Sequence, residues 1–334
     1  MGNYWRPWGL LTWILNRLSI DQWNLIGSFS TEERGLKVLD ILNSDRKLAS
    51  YNLFFVKDPP SIFTSDTNAQ LKKQKRDLKS LGLLDFTKIH EYELFDRHSK
   101  LVKGIQNILS SFDDNIIIDI SALPKRFFFP IIRLAMEDRT KKNIIATYTR
   151  PNTYGQLLAQ DPEPWSPIPL FGPTKYPEPK VRRIIIAIGF SPLGLPDFLE
   201  QGYDQGTVNL LLPFPPGPPN FNRNWEFIRR LEKNLPSDVA PDPIRIHPWD
   251  LPECFDRLVN ISDMGNDYTL LAPYGPKTVS LAMCLFAELN GFPVYYTQPK
   301  EYYPFYSEGV AEEDGEPQVF AYCLRIDGQD LYLL

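Results

Sequence analysis

The chain contains a repeat, and the repeat limits what it can fold into. Residues 118–154 begin Ile-Asp-Ile-Ser-Ala-Leu-Pro-Lys-Arg, pass through an apolar run of helical character and end Ala-Thr-Tyr-Thr-Arg-Pro-Asn-Thr-Tyr. Residues 270–302 begin Leu-Leu-Ala-Pro-Tyr-Gly-Pro-Lys-Thr, pass through a similar run and end Tyr-Tyr-Thr-Gln-Pro-Lys-Glu-Tyr. In each copy a strand feeds a Pro-Lys pair, and a second strand ends in Tyr-Thr-x-Pro-x-x-Tyr. Tyr148 and Tyr154 have the same spacing as Tyr296 and Tyr302. Two copies of one unit imply a pseudo-symmetric pair of layers with a shared crevice, where function is expected.

The surrounding sequence supplies the rhythm. In the first half, strands are expected at Trp23–Ser30, Tyr51–Lys57, Lys88–Phe95, Asn115–Ser121 and Asn143–Thr149, alternating with a helix that starts at Thr31 and helices near 67–81, 97–112 and 124–138. Asn115–Ser121 is apolar apart from Asp119 and its ends, as a strand covered on both faces must be. In the second half, strands are expected at Arg183–Ser191, Thr207–Phe214, Ile244–His247, Tyr268–Ala272 and Phe292–Thr297, with helices near 220–234, 251–262 and 276–290. Gly291 suits the end of the last helix. Asp327-Gly328 is a hairpin signal. The fold class is α/β, with two Rossmann-like parallel-sheet units related by internal duplication. The domains are residues 1–160, a linker at 161–180 whose seven prolines make it either extended or an ordered crossing strap, and residues 181–334 with a C-terminal hairpin.

The bulk numbers fit this scheme. The 334 residues can support two cores, and 43% hydrophobic with 23% charged residues is globular composition. No apolar run approaches the ~20 residues of a membrane span, and the N-terminus lacks a signal-peptide pattern. Cys254, Cys284 and Cys323 are far apart, which suggests buried free thiols and a cytoplasmic location. His90, His98 and His247 are scattered and show no metal-ligand spacing. No cofactor motif is present. Residues 1–150 carry a net +6 and residues 151–334 a net −11. Lys72-Lys73-Gln74-Lys75-Arg76 reads as a solvated helix face, and the acidic half disfavours duplex DNA as a partner.

Ligands of parallel sheets bind outside the carboxyl ends of the strands. The candidates there are Ser28, Ser30, Asp58, Asp119, Ser121, Lys125, Arg126, Thr149 and Arg150. In the second half they are Ser191, Pro213, Tyr274, Gly275, Lys277, Thr278, Thr297 and Gln298. Pro124 and Pro276 suit the first helical position. The lysine beside each helix N-terminus then makes an anion site, for which phosphate is the common occupant. Asp119 could order the turn that follows it, or accept a ligand hydroxyl or proton. The tyrosines could pack or stack on bases. No nucleophile elbow, zinc motif or Gly-x-Gly-x-x-Gly fingerprint is present.

Ile116-Ile117-Ile118-Asp119-Ile120-Ser121-Ala122-Leu123-Pro124-Lys125-Arg126 resembles the signature of CRISPR-associated Rossmann fold (CARF) domains: an apolar strand, an acid, a hydroxyl, a tight turn and a basic residue opening the next helix. Leu270–Thr278 is similar, with Pro273 in place of the acid. Two such units in one chain look like the fused SAVED arrangement. The resemblance implies sensing of cyclic oligonucleotides in prokaryotic antiviral defence, with Asp119, Ser121, Lys125, Gly275, Lys277 and Thr278 lining the pocket and an effector on a separate chain. The enzyme alternative is a nucleotide phosphodiesterase or ring nuclease. A further alternative is a non-catalytic scaffold subunit that docks through its aromatic N-terminus.

Overall fold

The computed structural model describes residues 5–155, 159–174, 178–195, 206–215, 221–232 and 243–334. The chain forms two compact units, Met1–Asp161 with Lys300–Leu331, and Pro162–Pro299 with Tyr332–Leu334.

The first unit opens with β1 (Trp8–Leu10) and α1 (Leu11–Arg17). It continues through β2 (Trp23–Ser28), α2 (Lys37–Ser44), β3 (Leu48–Lys57), α3 (Thr64–Ser80), β4 (Ile89–Glu93), α4 (His98–Ser110), β5 (Asn115–Asp119), α5 (Lys125–Glu137) and β6 (Asn143–Thr149). Strands β6-β5-β2-β3-β4 lie side by side, all parallel. Every residue of β2 and β6 is buried, as expected for strands inside such a sheet. On one face Leu25, Leu53, Ile117 and Ile145 pack with α1, with Leu39 and Leu42 of α2 and with Leu78 of α3. On the other, Phe54 stacks on Tyr92 (5.3 Å) and meets Phe127 of α5 edge-on (6.4 Å). The connections after β2 and β5 therefore leave toward opposite faces, and these two neighbours form a switch point.

The second unit contains β7 (Arg183–Ala187), β8 (Thr207–Pro213), α6 (Phe221–Glu232), β9 (Ile244–Ile246), α7 (Leu251–Ile261), β10 (Thr269–Pro273) and α8 (Lys277–Asn290). Its parallel sheet runs β9-β8-β7-β10, the order that β4-β3-β2-β5 follows in the first unit. Ile184, Ile186, Leu210 and Leu212 pack on Phe227, Ile228 and Leu231 of α6. Helices α7 and α8 meet through Phe255 and Phe286, 6.0 Å apart. Gly291 ends α8 in the left-handed conformation (φ 65°, ψ 33°).

Two expectations change, and one open alternative is decided. The C-terminal hairpin, assigned from sequence to the second domain, lies in the first unit's sheet. Val319–Ile326 runs antiparallel to β6, and β1 runs antiparallel on its outer side. Val319, Ala321 and Cys323 join the core of Leu25 and Ile117, a long-range placement that local sequence does not encode. The strand expected at Phe292–Thr297 shrinks to a single bridge between Leu271 and Val294, and Tyr295–Tyr296 pair instead with Ser166–Pro167. Pro293 has no N–H to donate, so an edge ladder cannot continue through it. The proline-rich segment is an ordered strap on the second unit where described, with Ile168 and Phe171 buried and the Val294 N–H donated to the Phe171 carbonyl (2.9 Å).

Candidate functional site

At the carboxyl edge of the first sheet, Asp119 is fully buried. Its Oδ1 accepts from the Ser121 N–H (3.1 Å), the Ser121 hydroxyl and the Thr147 hydroxyl (3.3 Å). Ser121 Oγ in turn accepts from the Thr149 N–H (2.7 Å). These bonds tie the end of β5 to β6 and fix the turn into α5. Ser28, Ser121 and Thr149 are buried with Asp119, while Ser30, Lys125, Arg126 and Arg150 are half-buried.

Helix α5 begins one residue later than the sequence suggests. Pro124 is the N-cap (φ −58°, ψ 149°), and its carbonyl accepts from Phe127 N (2.9 Å) and Phe128 N (3.0 Å). Its extended ψ makes Lys125 the first helical residue, and the proline side chain supplies no cap. Burial pulls the Lys125 ammonium down to about 7 and pushes the Asp58 carboxyl, just beyond β3, up to about 7. Two groups poised near neutrality at one sheet edge are a mark of functional sites.

Sequence reasoning missed a third group there. The short turn of 3-10 helix Glu33–Leu36 follows β2 and carries Arg34, which is 2% exposed. Its Nε and Nη2 donate to Glu32 Oε2 (2.9 and 2.7 Å), and its Nη1 to the Thr149 carbonyl (3.3 Å) and the Tyr148 hydroxyl (3.4 Å). Gly35 makes the approach possible: a Cβ there would lie 3.1 Å from the Ser28 carbonyl oxygen and 3.3 Å from Ala122 Cβ. Read locally, Glu32 to Gly35 is a helix start, and only the glycine hints at close packing. Tyr148 and Tyr154 share a hydroxyl contact (2.9 Å), which is the packing alternative for these rings.

In the second unit, Pro276 caps α8 in the same conformation (φ −53°, ψ 154°), and Lys277 is the first helical residue. Lys277 is half-buried and Thr278 is buried. Tyr274 belongs to an aromatic cluster with Trp165, Phe227 and Tyr296, and its hydroxyl meets Thr297 Oγ1 (2.7 Å). Both Tyr274 and Thr297 are thus engaged within the fold. A Cβ on Gly275 would stand 3.0 Å from Ala187 Cβ, so this glycine serves the close crossing of β7 and β10. Ser191 Oγ accepts from Leu193 N (3.4 Å). His247 packs edge-on against Trp249 and accepts its N–H at Nδ1 (3.4 Å). Among the described residues no cluster of His, Cys, Asp or Glu could hold a metal, and Cys254, Cys284 and Cys323 are buried and form no disulfide. No described helix is long and apolar enough to cross a membrane.

No family model and no curated protein matches this sequence. Among solved structures the chain is similar to a universal stress protein from Pseudomonas aeruginosa UCBPP-PA14, at 11% identity and a TM-score of 0.24. The match covers 84% of this chain and 94% of that one. A likeness at that score adds nothing about the site.

Proposed function

We propose that the chain binds a phosphate-bearing nucleotide at the carboxyl edges of its parallel sheets and acts as a sensing or regulatory protein. The CARF and SAVED resemblance narrows this to a cyclic oligonucleotide in prokaryotic antiviral defence, with the effector on a separate chain. One observation carries the reading. In each unit the helix after the fourth parallel strand starts from a proline in the same extended conformation, whose side chain cannot cap it, and leads with a lysine. A helix N-terminus favours an anion, and the lysine, when protonated, adds a positive charge beside it. The shared strand order supports descent of both units from one duplicated ancestor. Asp58, poised at about 7, suits a general base and favours ring cleavage as the second reading.

The test is calorimetry with cyclic oligoadenylates, on the wild type and on Lys125→Ala with Lys277→Ala. Binding is expected in the wild type and lost in the double variant, and equal affinity in both rejects the site. Linear products that disappear in Asp58→Asn would establish the second reading.

A further inference from the structure

We propose that residues 303–318 are a lid over the carboxyl edge of the first unit, latched by Ser307 on Glu32, and that Arg34 beneath it binds the ligand's phosphate once Glu32 lets go. This deepens the phosphate-binding reading above and rests on it.

The lid touches the segments that follow three strands of the sheet. Tyr303 meets Phe63, beyond β3, edge-on at 5.3 Å. Ser307–Glu308 pair with Thr153–Tyr154, beyond β6, and Tyr306 packs edge-on against Tyr154 (6.1 Å). The Ala311 N–H donates to the Arg150 carbonyl (2.9 Å). The Ser307 hydroxyl donates to Glu32 Oε2, beyond β2. That single oxygen therefore receives Ser307 and both Arg34 nitrogens, the surroundings one oxygen of a bound anion would have. Thr149, whose carbonyl meets Arg34, also carries a buried Oγ1 with no hydrogen-bond partner among the described residues. Removing the partner of a buried charge is costly, whereas exchanging one anion for another is not. Glu32 and a phosphate can thus alternate on Arg34 without leaving the guanidinium bare.

The latch predicts that Ser307→Ala opens the lid. Hydrogen exchange at residues 303–311 should accelerate about tenfold, the loss of one charge-assisted bond, with exchange in β2 and β5 unchanged. Pyrophosphate affinity should rise by up to the same factor, because the open state is more populated. Unchanged exchange overturns the latch. Faster exchange with unchanged affinity for pyrophosphate overturns the gating of Arg34. Faster exchange in a protein that binds no pyrophosphate, with or without the substitution, instead removes the phosphate reading, and the lid's ligand with it.

Discussion

Lys125 offers a direct test of the electrostatics at the first unit's sheet edge. Burial lowers its ammonium from 10.5 to about 7. Between those two values the unfolded chain holds a proton that the folded chain does not, so stability contributed at this residue rises with pH across that window. Below about 7 both states are charged and the fold carries the full desolvation cost. At about 1.4 kcal/mol per pH unit the gap sets an upper limit of about 5 kcal/mol. Lys125 is only half-buried, and solvent reaching the ammonium reduces the figure to about 2–3 kcal/mol. Lys125→Met keeps the length and the apolar stem. The variant should therefore be more stable than the wild type by about 2–3 kcal/mol at pH 6. The advantage should shrink through pH 8 and 9 and vanish near 10.5, the unburied value. Urea unfolding followed by tryptophan fluorescence at each pH measures it, provided the m-values agree. An advantage independent of pH, or a variant less stable at pH 6, would refute the reasoning.

Two further substitutions test packing and the turn into α5. A Cβ on Gly104 of α4 would lie 1.8 Å from the Tyr92 hydroxyl, and Tyr92 is clamped between Phe54 and Phe127. Gly104→Ala should cost about 1–3 kcal/mol despite alanine's better helix propensity, and adding Tyr92→Phe should recover most of it. Additive losses in a double-mutant cycle would show that the hydroxyl is not the obstacle. Ser121→Ala removes a donor to buried Asp119 and the acceptor of the Thr149 N–H. Chemical denaturation should show a loss of about 2–3 kcal/mol, and no measurable loss would mean that the turn is held by other contacts.

Elements set by local chemistry were legible in the sequence. Strand β6 occupies the residues expected of it, Asn143–Thr149, because an apolar β-branched run between a charged turn and a proline has one reading. Asp327 and Gly328 both take positive φ (48° and 78°), as a two-residue hairpin turn requires. What local pattern does not encode is the partner of each strand. Val319–Ile326 has an apolar pattern that would suit either sheet, and only its pairing with β6 decides. Arg34 was hidden for the same reason: its contacts with Tyr148 and Thr149 lie more than a hundred residues away in sequence.

The candidate site shows why strand-end polar residues are hard to interpret. A parallel sheet needs hydroxyls and carboxylates at its carboxyl edge to satisfy turns, and a ligand needs the same groups at the same place. Burial and hydrogen bonding separate the two uses. Asp119 and Ser121, which most resemble a family signature, are buried and occupied in joining β5 to β6. Lys125 and Arg150 remain half-exposed, and burial disfavours the charged form of Lys125. A ligand anion would lower that cost directly, whereas it could reach Asp119 only by breaking the turn. Under the proposed anion-binding reading, the energetics would place recognition on the basic groups around the signature residues rather than on those residues themselves. In that reading Arg34, which already holds the carboxylate of Glu32, would be the group best placed to take a ligand anion.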